Sequence, residues 1–403
     1  MISVEEALTR ITAAFEPLPS EWVALSNARG RVLAKDLIAD RDQPHQAISA
    51  MDGYAVRASD LTSGEATLTM VGAAPAGGRF EGAVEPGQTV RIFTGGPLPS
   101  GADAVAIQEN AEANGDSILI KGAIDPGTFV RPAGLDIKKG EVTLKAGTVL
   151  TARDLGLAAI LNQVWLPVKR RPRIALLATG DELVRPGEPL GPDHIVTSNS
   201  ITLSAMIEAW GGTAIDLGII ADEADAFSEV MPDLVDVDLI VTLGGASVGE
   251  RDLVRQSLGD EGLTLEFWKI AMRPGKPLMF GQLNGVSLLG LPGNPVSSGV
   301  CAVLFVRAIM NCLQGLDPNP PEIPAVLGVD LGANDQRQEY LRATSRWRDD
   351  GVLEVTPSTR QDSAMFALFA RADCLVKRRP FAKNAAKGSH VTVIPLSPSK
   401  IGV

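Results

Sequence analysis

The chemistry-bearing residues of this chain are most concentrated between Leu239 and Asp252, in the stretch LIVTLGGASVGERD. Its apolar start predicts a buried strand, and Gly244, Gly245 and Gly249 form the turn that follows. Glycine lacks Cβ, so its backbone adopts positive φ and lets a ligand approach closely. A strand that runs through such a turn to a helix N-terminus is a common phosphate site in open α/β sheets. The stretch predicts a phosphate site or, alternatively, a simple chain reversal.

Carboxylates follow the ends of three predicted strands, at Glu182, Asp222 and Asp252. Because the carboxyl ends of parallel strands meet at one edge of a sheet, we expect the three side chains to face one crevice. Three carboxylates suit a hard cation such as Mg²⁺, which would neutralise a pyrophosphate. The alternative is that they are helix N-caps favoured by the helix dipole.

Basic residues cluster at Lys269, Arg273 and Lys276 in an otherwise acidic chain. Such a concentration of positive charge is what an oxyanion site requires, although solvated loop charges would give the same pattern. Ser297 begins the predicted helix after Pro295, so its hydroxyl and the free N–H groups there either bind an oxyanion or form a plain cap.

A second group of candidates lies near the N-terminus. The segment QPHQAISAMDGYAV places Asp52 before Gly53, and RIFTGGPLPSGADAV places Thr94 at the end of a predicted strand. An Asp-Gly turn between strands explains the first motif equally well. Thr94 is either a ligand-facing hydroxyl or a turn hydroxyl.

Composition excludes several classes of protein. The 403 residues imply two to four domains, with 45% hydrophobic and 21% charged residues. The net charge of −11 argues against a nucleic-acid partner. No apolar run is expected to approach the roughly 20 residues that span a bilayer. The N-terminal residues include Glu5 and Glu6 and lack a basic stretch before an apolar segment, so we expect no signal peptide. We therefore expect no nucleic acid and no membrane.

The three cysteines and three histidines are scattered along the chain. This spacing predicts no disulfide framework, zinc site or Ser-His-Asp triad. Cys301 and Cys312 lie in an apolar segment and are expected in the core. The expectation is a reduced, cytoplasmic protein.

The order of predicted elements divides the chain. Residues 3–15 predict a helix capped by Ser3, and residues 57–150 predict a β-rich region of short alternating segments. From residue 174 strands and helices alternate, which is the signature of a doubly wound, mostly parallel sheet. It includes predicted helices over 201–210, after Asn199 or Ser200 as cap, and over 223–234, and ends in a long apolar helix over 296–312. After the linker DPNPPEIP, residues 325–403 predict a small β domain.

Seven motifs together make the chain resemble the molybdopterin molybdenumtransferases, a family to which the E domain of gephyrin is similar. In order they are SAMDGYAV, TGGPLPSGADAV, TGDEL, LGIIAD, GGASVGERD, PGKP and LPGNPVS. The resemblance covers essentially the whole chain.

The resemblance implies a multidomain α/β plus β fold in an elongated homodimer. A linking domain would comprise residues 1–44 and 141–171, and a β-rich domain residues 45–140. The α/β domain of the molybdopterin-binding fold would span 172–316, and a small C-terminal β-barrel 317–403.

It also implies insertion of molybdate into adenylylated molybdopterin with magnesium-dependent release of AMP. Expected partners beyond these substrates are the molybdopterin adenylyltransferase and molybdoenzymes or their chaperones. The implied catalytic residues are Asp52, Thr94, Glu182, Asp222, Asp252, Lys269 and Lys276, and Glu182, Asp222 and Asp252 would hold the metal. The implied substrate-binding residues are Thr179, Gly180, Asn199, Gly244, Gly245, Ser247, Gly249, Pro292, Asn294 and Pro295. The implied molybdate-binding residues are Arg273, Lys276, Ser297, Arg342 and Ser363.

The chain departs from the family pattern at several positions. Gln46 and Ala47 stand where an aromatic and an acidic residue are common, Arg273 where lysine is frequent, and Asp362 where glycine is. Without the resemblance, Arg342 and Ser363 would be interpreted as surface residues.

Two other functions are compatible with parts of the pattern. The adenylyltransferase of the preceding step shares the fold of residues 172–316, but this chain has one such domain and carries the extra β domains of the transferase. The other alternative is a receptor-binding scaffold like the E domain of gephyrin. Turnover of adenylylated molybdopterin would distinguish the transferase from such a scaffold.

Overall fold

A computed structural model describes residues 1–75, 77–220, 234, 236–244 and 262–396. The chain forms two compact units. The larger unit comprises Met1–Glu21, Gly30–Val32 and Val168–Val403, and the smaller unit comprises Trp22–Arg29 and Leu33–Pro167.

The described residues contain these helices and strands. The helices are α1 (Val4–Thr12), α2 (Ala152–Ile160), α3 (Asn199–Ala209), α4 (Pro295–Gln314) and α5 (Phe366–Arg371). The strands up to residue 169 are β1 (Ser20–Ala24), β2 (Leu37–Ile38), β3 (Ile48–Ser49), β4 (Gly53–Val56), β5 (Glu65–Ala74), β6 (Gln88–Ile92), β7 (Ala104–Ile107), β8 (Ala111–Asn114), β9 (Ser117–Lys121), β10 (Val130–Arg131), β11 (Val142–Leu144) and β12 (Trp165–Lys169). The later strands are β13 (Arg173–Thr179), β14 (Leu183–Val184), β15 (Ile195–Val196), β16 (Thr213–Ile220), β17 (Leu239–Leu243), β18 (Leu263–Trp268), β19 (Met272–Arg273), β20 (Met279–Leu283), β21 (Val286–Leu291), β22 (Ile323–Leu327), β23 (Gln338–Trp347), β24 (Leu353–Pro357), β25 (Cys374–Arg378) and β26 (His390–Pro395).

The smaller unit is built on a six-stranded mixed sheet in the order β7-β4-β6-β5-β9-β8. Alternate residues of β9 are buried, and Ile118 and Ile120 therefore meet Leu68 of β5 in one core cluster. Helix α2 begins with a capping box, in which Thr151 and Asp154 bond each other's backbone and side chain. The predicted β-rich domain is confirmed.

The larger unit contains a six-stranded sheet in the order β16-β13-β17-β21-β20-β18. The first four strands are parallel, β20 joins β21 in the antiparallel direction, and β18 pairs antiparallel with β20 at the edge. Strands β13 and β17 are buried on both faces, as their continuous apolar sequences require. The doubly wound, mostly parallel sheet is therefore confirmed. The predicted helix over 223–234 lies outside the described residues except for Leu234.

Helix α1 packs its apolar face into the same core as the parallel sheet. The Ser3 Oγ accepts a hydrogen bond from the Glu6 N–H at 3.0 Å, as the predicted cap requires. Val4, Ala7 and Ile11 are buried in the core cluster that also holds Leu176. The N-terminal helix thus belongs to the core of the larger unit.

Helix α4 is the central helix of the larger unit. It begins with Pro295 after the N-cap Asn294, has a π-helical segment at Ala302–Val306, and ends at Gly315 in the left-handed conformation. An 18-residue window of this 20-residue helix has a mean hydropathy of 1.8, so the expectation that no apolar run approaches the length of a membrane span was wrong. Because 83% of that apolar window is buried inside the protein, we interpret α4 as a core helix.

The C-terminal strands close into a five-stranded barrel, as predicted. Neighbouring strands follow the order β23-β24-β22-β26-β25, and β25 pairs with β23 to complete the ring. Strand β19 adds to the outside of β23 in parallel, with Met272 opposite Gln338 and Arg273 opposite Glu339. Val355, Val376 and Val393 fill the barrel interior. The barrel is therefore joined to the α/β part of the same unit through β19.

Candidate functional site

The ends of three parallel strands converge at Thr179, Gly244 and Gly293. A Cβ placed on Gly244 would lie 2.8 Å from the Thr179 carbonyl oxygen and 3.1 Å from its Oγ1, and the φ of Gly244 is +109°. A Cβ on Gly293 would lie 3.7 Å from the Gly244 Cα. Glycine at both positions lets the backbones meet and leaves space above them. The structure thus brings three predicted substrate-binding segments to one edge of the sheet.

Glu182 lies at this edge, two residues beyond Gly180. Its Oε2 would be 2.6 Å from a Cβ on Gly180, whose φ is +142°. The carboxylate therefore covers the Gly180 backbone beside the end of β13 while remaining exposed to solvent. Asp222 and Asp252, its predicted companions, lie outside the described residues.

Asn199 connects this edge to the start of α4. Its Nδ2 donates a 2.8 Å hydrogen bond to the Gly293 carbonyl. The prediction that Asn199 or Ser200 caps α3 was wrong, because the cap position is Ser198 and both residues lie within the helix. The Asn199 side chain is thereby available to hold the loop that carries Pro292, Asn294 and Pro295.

The N-terminus of α4 meets the barrel at Ser363. The Val296 N–H donates to the Ser363 carbonyl at 3.2 Å. Ser297 is 5% exposed, and Ser298 is fully buried with an Oγ that lacks a hydrogen-bond partner among the described residues. Since Asn294 is the N-cap, Ser297 lies inside the first turn and is not the cap. Two hydroxyls thus lie in the first turn of α4.

Arg342 is wholly buried in the barrel strand β23, with 0% exposure. Its Nη2 reaches the Arg360 carbonyl at 3.5 Å, while Nε and Nη1 lack a hydrogen-bond partner among the described residues. Burial lowers the pKa of the Arg342 guanidinium, and the Asp362 carboxylate acts in the opposite direction. The interpretation of Arg342 as a surface residue was wrong. A buried guanidinium with free donors is suited to bind an oxyanion.

Lys269 and Lys276 occupy opposite ends of one tight loop. Lys269 donates its N–H to the Leu278 carbonyl, and the Ile270 N–H donates to the Lys276 carbonyl. The Lys269 backbone has a φ of +77°, and its Nζ lies 4.0 Å from the centre of the Trp268 ring. Lys276 is exposed. The loop packs on α4, because a Cβ on Gly275 would be 2.5 Å from the Cys301 sulfur.

Arg273 is paired with carboxylates. Its guanidinium bonds Glu339 at 2.5 Å and lies 3.5 Å from Asp335. Arginine allows this double contact because its planar fork offers several donors. The side chain thus reinforces the pairing of β19 with β23, and its role toward molybdate stays a prediction.

In the smaller unit the structure brings Asp52 and Thr94 together. The backbone N–H and the hydroxyl of Thr94 both donate to the Asp52 Oδ1 at 2.7 Å. These two hydrogen bonds hold the pKa of Asp52 below its usual value. The backbone bond contributes most, the hydroxyl bond comes next, and the positive charge of Arg91 also lowers the pKa. Thr94 is therefore bound to a carboxylate and is more than a turn residue.

Arg91 belongs to this group and was not among the predicted site residues. Its guanidinium stacks over the rings of Tyr54 and Phe93 at 4.9 and 5.1 Å and donates to Gln108 at 2.7 Å. The available signal was its position three residues before Thr94 in the strand that ends in TGG. The smaller unit therefore places the negatively charged Asp52 carboxylate near the positively charged Arg91 guanidinium.

Several predicted residues lie outside the described part of the chain. They are Asp222, Gly245, Ser247, Gly249 and Asp252. Among the described residues no group of three His, Cys, Asp or Glu side chains is arranged to hold a metal ion. The metal set Glu182, Asp222 and Asp252 therefore stays a prediction, as do the roles of its members.

Three family profiles together account for most of the chain. "MoeA N-terminal region (domain I and II)" matches residues 2–161, "Probable molybdopterin binding domain" matches 175–311, and "MoeA C-terminal region (domain IV)" matches 324–396. The middle profile covers the converging strand ends.

Individual relatives agree with the profiles. The chain is 34% identical to the molybdopterin molybdenumtransferase of Haemophilus influenzae, with 98% of this chain and 99% of the relative covered. It is also 34% identical to the Bacillus subtilis enzyme of the same name, over 93% and 89%. A crystal structure of a molybdopterin biosynthesis MoeA protein from Pyrococcus horikoshii matches with a TM-score of 0.82 at 26% identity, covering 98% of this chain and all of that one. The chain belongs to the MoeA family of molybdopterin molybdenumtransferases.

Proposed function

We propose that this chain inserts molybdate into adenylylated molybdopterin and releases AMP, as a step of molybdenum cofactor biosynthesis. The observation that carries the proposal is the wholly buried Arg342, whose Nε and Nη1 have no hydrogen-bond partner among the described residues. An unpaired buried guanidinium costs several kcal/mol unless a ligand completes its hydrogen bonds. Molybdate, a tetrahedral dianion, offers four oxygen acceptors for such donors.

The molybdate pocket extends from Arg342 to the N-terminus of α4. Ser363 reaches that N-terminus through its bond to Val296, and Ser297 lies in the first turn. The positive end of the helix dipole there favours an oxyanion. Lys276, on the loop packed against α4, adds a mobile charge, while Arg273 contributes less because two carboxylates already engage it.

The adenylylated pterin occupies the edge formed by Thr179, Gly180, Gly244 and the loop from Pro292 to Pro295. Support comes from the exposed Gly293 and Asn294 at this edge, and from the close approach of the Gly244 backbone to Thr179, which a side chain at position 244 would prevent. Asn199 fixes the loop through Gly293. Gly245, Ser247 and Gly249 complete this substrate site in the proposal.

Glu182, with Asp222 and Asp252, would hold Mg²⁺. The exposed Glu182 carboxylate beside Gly180 fits a hard cation, which prefers carboxylate oxygens. When bound, the ion would neutralise charge on the pyrophosphate that links pterin and adenosine. The chain's own residues orient the adenylate, and Lys269 and Lys276 bring positive charge to it.

We further propose a cytoplasmic homodimer in which Asp52 and Thr94 reach the site of the partner subunit. The smaller unit exposes large apolar side chains that a partner could cover, with Trp22, Val164 and Trp165 all more than half exposed. The Leu25 N–H donates to the Val164 carbonyl, so two of the segments that carry these side chains are adjacent. Upstream and downstream partners would be the molybdopterin adenylyltransferase and molybdoenzymes or their chaperones.

The test is to incubate the protein with adenylylated molybdopterin, molybdate and Mg²⁺ and to measure molybdenum that co-elutes with the pterin. We expect close to one molybdenum atom per pterin consumed. A parallel reaction contains molybdopterin, ATP and Mg²⁺ instead. Formation of the adenylyl ester there, with no molybdenum inserted in the first reaction, would identify an adenylyltransferase and contradict the proposal.

A further inference from the structure

The segment from Ser358 to Ser363 encloses Arg342 from one side. Gln361 bonds the Arg342 backbone twice, because its Oε1 accepts from the Arg342 N–H at 3.0 Å and its Nε2 donates to the Arg342 carbonyl at 3.1 Å. The Ser358 N–H also donates to that carbonyl, and the Arg360 carbonyl faces the guanidinium. The position of this segment relative to the guanidinium is therefore fixed at several points.

Asp362 lies in this segment, between Gln361 and Ser363. Its Oδ1 accepts a 2.8 Å hydrogen bond from the Ala364 N–H, which fixes the carboxylate at the start of the turn into α5. Its neighbours Arg360 and Gln361 both bond Arg342, so the carboxylate lies in a segment held against that residue, and its negative charge raises the pKa of the Arg342 guanidinium. The side chain is exposed, so solvent and a diffusing anion can both approach it.

We propose that Asp362 is a specificity-determining residue that sets the affinity of the Arg342 pocket for oxyanions according to their charge. The inference rests on the proposed function, because it takes the pocket to be the molybdate site. A carboxylate fixed in the segment that contacts Arg342 offsets part of the positive charge of the guanidinium and repels an incoming anion. Coulomb energy scales with the charge of the anion, so a dianion is opposed about twice as strongly, in free energy, as a monoanion.

Two tetrahedral oxyanions of different charge can distinguish the effect of anion charge on binding from the effect of anion shape. Molybdate carries two negative charges and perrhenate one, and both present four oxygens. Replacing Asp362 by Asn removes the charge and keeps an oxygen that accepts from the Ala364 N–H. The dissociation constant for molybdate should then fall about tenfold, and that for perrhenate only about threefold.

The experiment titrates the full-length protein with sodium molybdate and with perrhenate by isothermal calorimetry at fixed ionic strength. The variants are Asp362→Asn, Asp362→Glu and Arg342→Ala, and Asp349→Asn is a control that changes net charge equally at the far end of β23. Asp362→Glu and Asp349→Asn should bind as the wild type does, and Arg342→Ala should bind both anions weakly.

Three results would overturn the assignment. Unchanged molybdate affinity in Asp362→Asn, while Arg342→Ala loses binding, would leave the molybdate pocket intact and make Asp362 a turn residue only. An equal decrease in the dissociation constants of molybdate and perrhenate in Asp362→Asn would show that the effect of Asp362 does not depend on the charge of the anion. Absence of molybdate binding in the wild type would overturn the proposed function and this assignment with it.

Discussion

A single guanidinium, that of Arg342, is the residue on which the proposed chemistry most depends. Its burial within a β-strand could not be predicted from hydrophobic alternation, because charged side chains in strands usually face solvent. Only the family resemblance pointed to it. The structure supplies the physical reason for its role, namely two donors without a partner among the described residues.

Arg342→Ala should raise the molybdate concentration that gives half-maximal rate by roughly 10- to 150-fold, the effect of losing a charge-assisted hydrogen bond of about 1.5–3 kcal/mol. Nucleotide binding should be retained, because the adenylate occupies the strand ends. The measurement is the initial rate across molybdate concentrations. Arg348→Ala, on the exposed β23–β24 turn, is the matched control and should change nothing. An unchanged molybdate dependence in Arg342→Ala would remove this pocket from the account.

Asp52 and Thr94 show what sequence spacing cannot convey. They are separated by 42 positions, yet both donors of Thr94 bind one carboxylate oxygen. The motifs predicted that each is functional, but a contact between them depends on the pairing of β4 with β6. The sequence therefore identified both residues as candidates but could not predict the hydrogen bonds between them.

Thr94→Val should raise the pKa of Asp52 toward the ordinary value, because it removes the hydroxyl donor and keeps the backbone donor. Thr94→Ser keeps both and should leave the pKa unchanged. The lowered pKa of the wild type means that Asp52 is ionised at neutral pH and that its favourable bonds are lost as pH falls through that value. Carboxyl-carbon NMR titration checks this. Equal pKa values in wild type and Thr94→Val would show that the hydroxyl bond is absent in solution.

At the scale of elements, apolar runs bounded by Gly and Pro located most strands within a few residues. Strand β17 was predicted with its observed bounds, and α4 within two residues. Among the elements that were missed are strands β14, β15, β19 and β20 and helix α5. Strand β20 is a mostly buried inner strand without alternation, and α5 has only six residues, too few for a helical period to be recognised.

Gly244→Ala should disturb the candidate site through backbone geometry. The substitution places a Cβ 2.8 Å from the Thr179 carbonyl at a φ of +109°. We expect a loss of about 1–3 kcal/mol in the free energy of unfolding and weaker nucleotide binding. Gly285→Ala is the control, since its φ is +86° but nothing lies within 4 Å of the new Cβ. Urea unfolding and nucleotide titration measure both, and equal nucleotide affinity in the two variants would contradict a site at this edge.

At the scale of the whole molecule, the proposed dimer makes an arithmetic prediction. Asp52→Ala and Asp252→Ala subunits, each inactive alone, are mixed and allowed to exchange. About half the dimers become mixed by random pairing, and in each of these one shared site carries both changes and the other neither. Roughly a quarter of wild-type activity should therefore return.

The control pair is Asp252→Ala with Glu182→Ala, both in the larger unit. In this mixture every site keeps one altered residue, so no activity should return. Exchange is verified by native mass spectrometry of tagged chains. Failure of the Asp52→Ala and Asp252→Ala mixture to recover activity after verified exchange would place Asp52 in its own subunit's site.

In the proposed function, a single enzyme couples the insertion of molybdate to the cleavage of adenylylated molybdopterin. AMP release from purified adenylylated molybdopterin, followed with Mg²⁺ in the presence and absence of molybdate, tests it most directly. We predict rapid release with molybdate, in proportion to the substrate consumed, and much slower release without it. AMP release at the same rate in both reactions, or in neither, would contradict the claim.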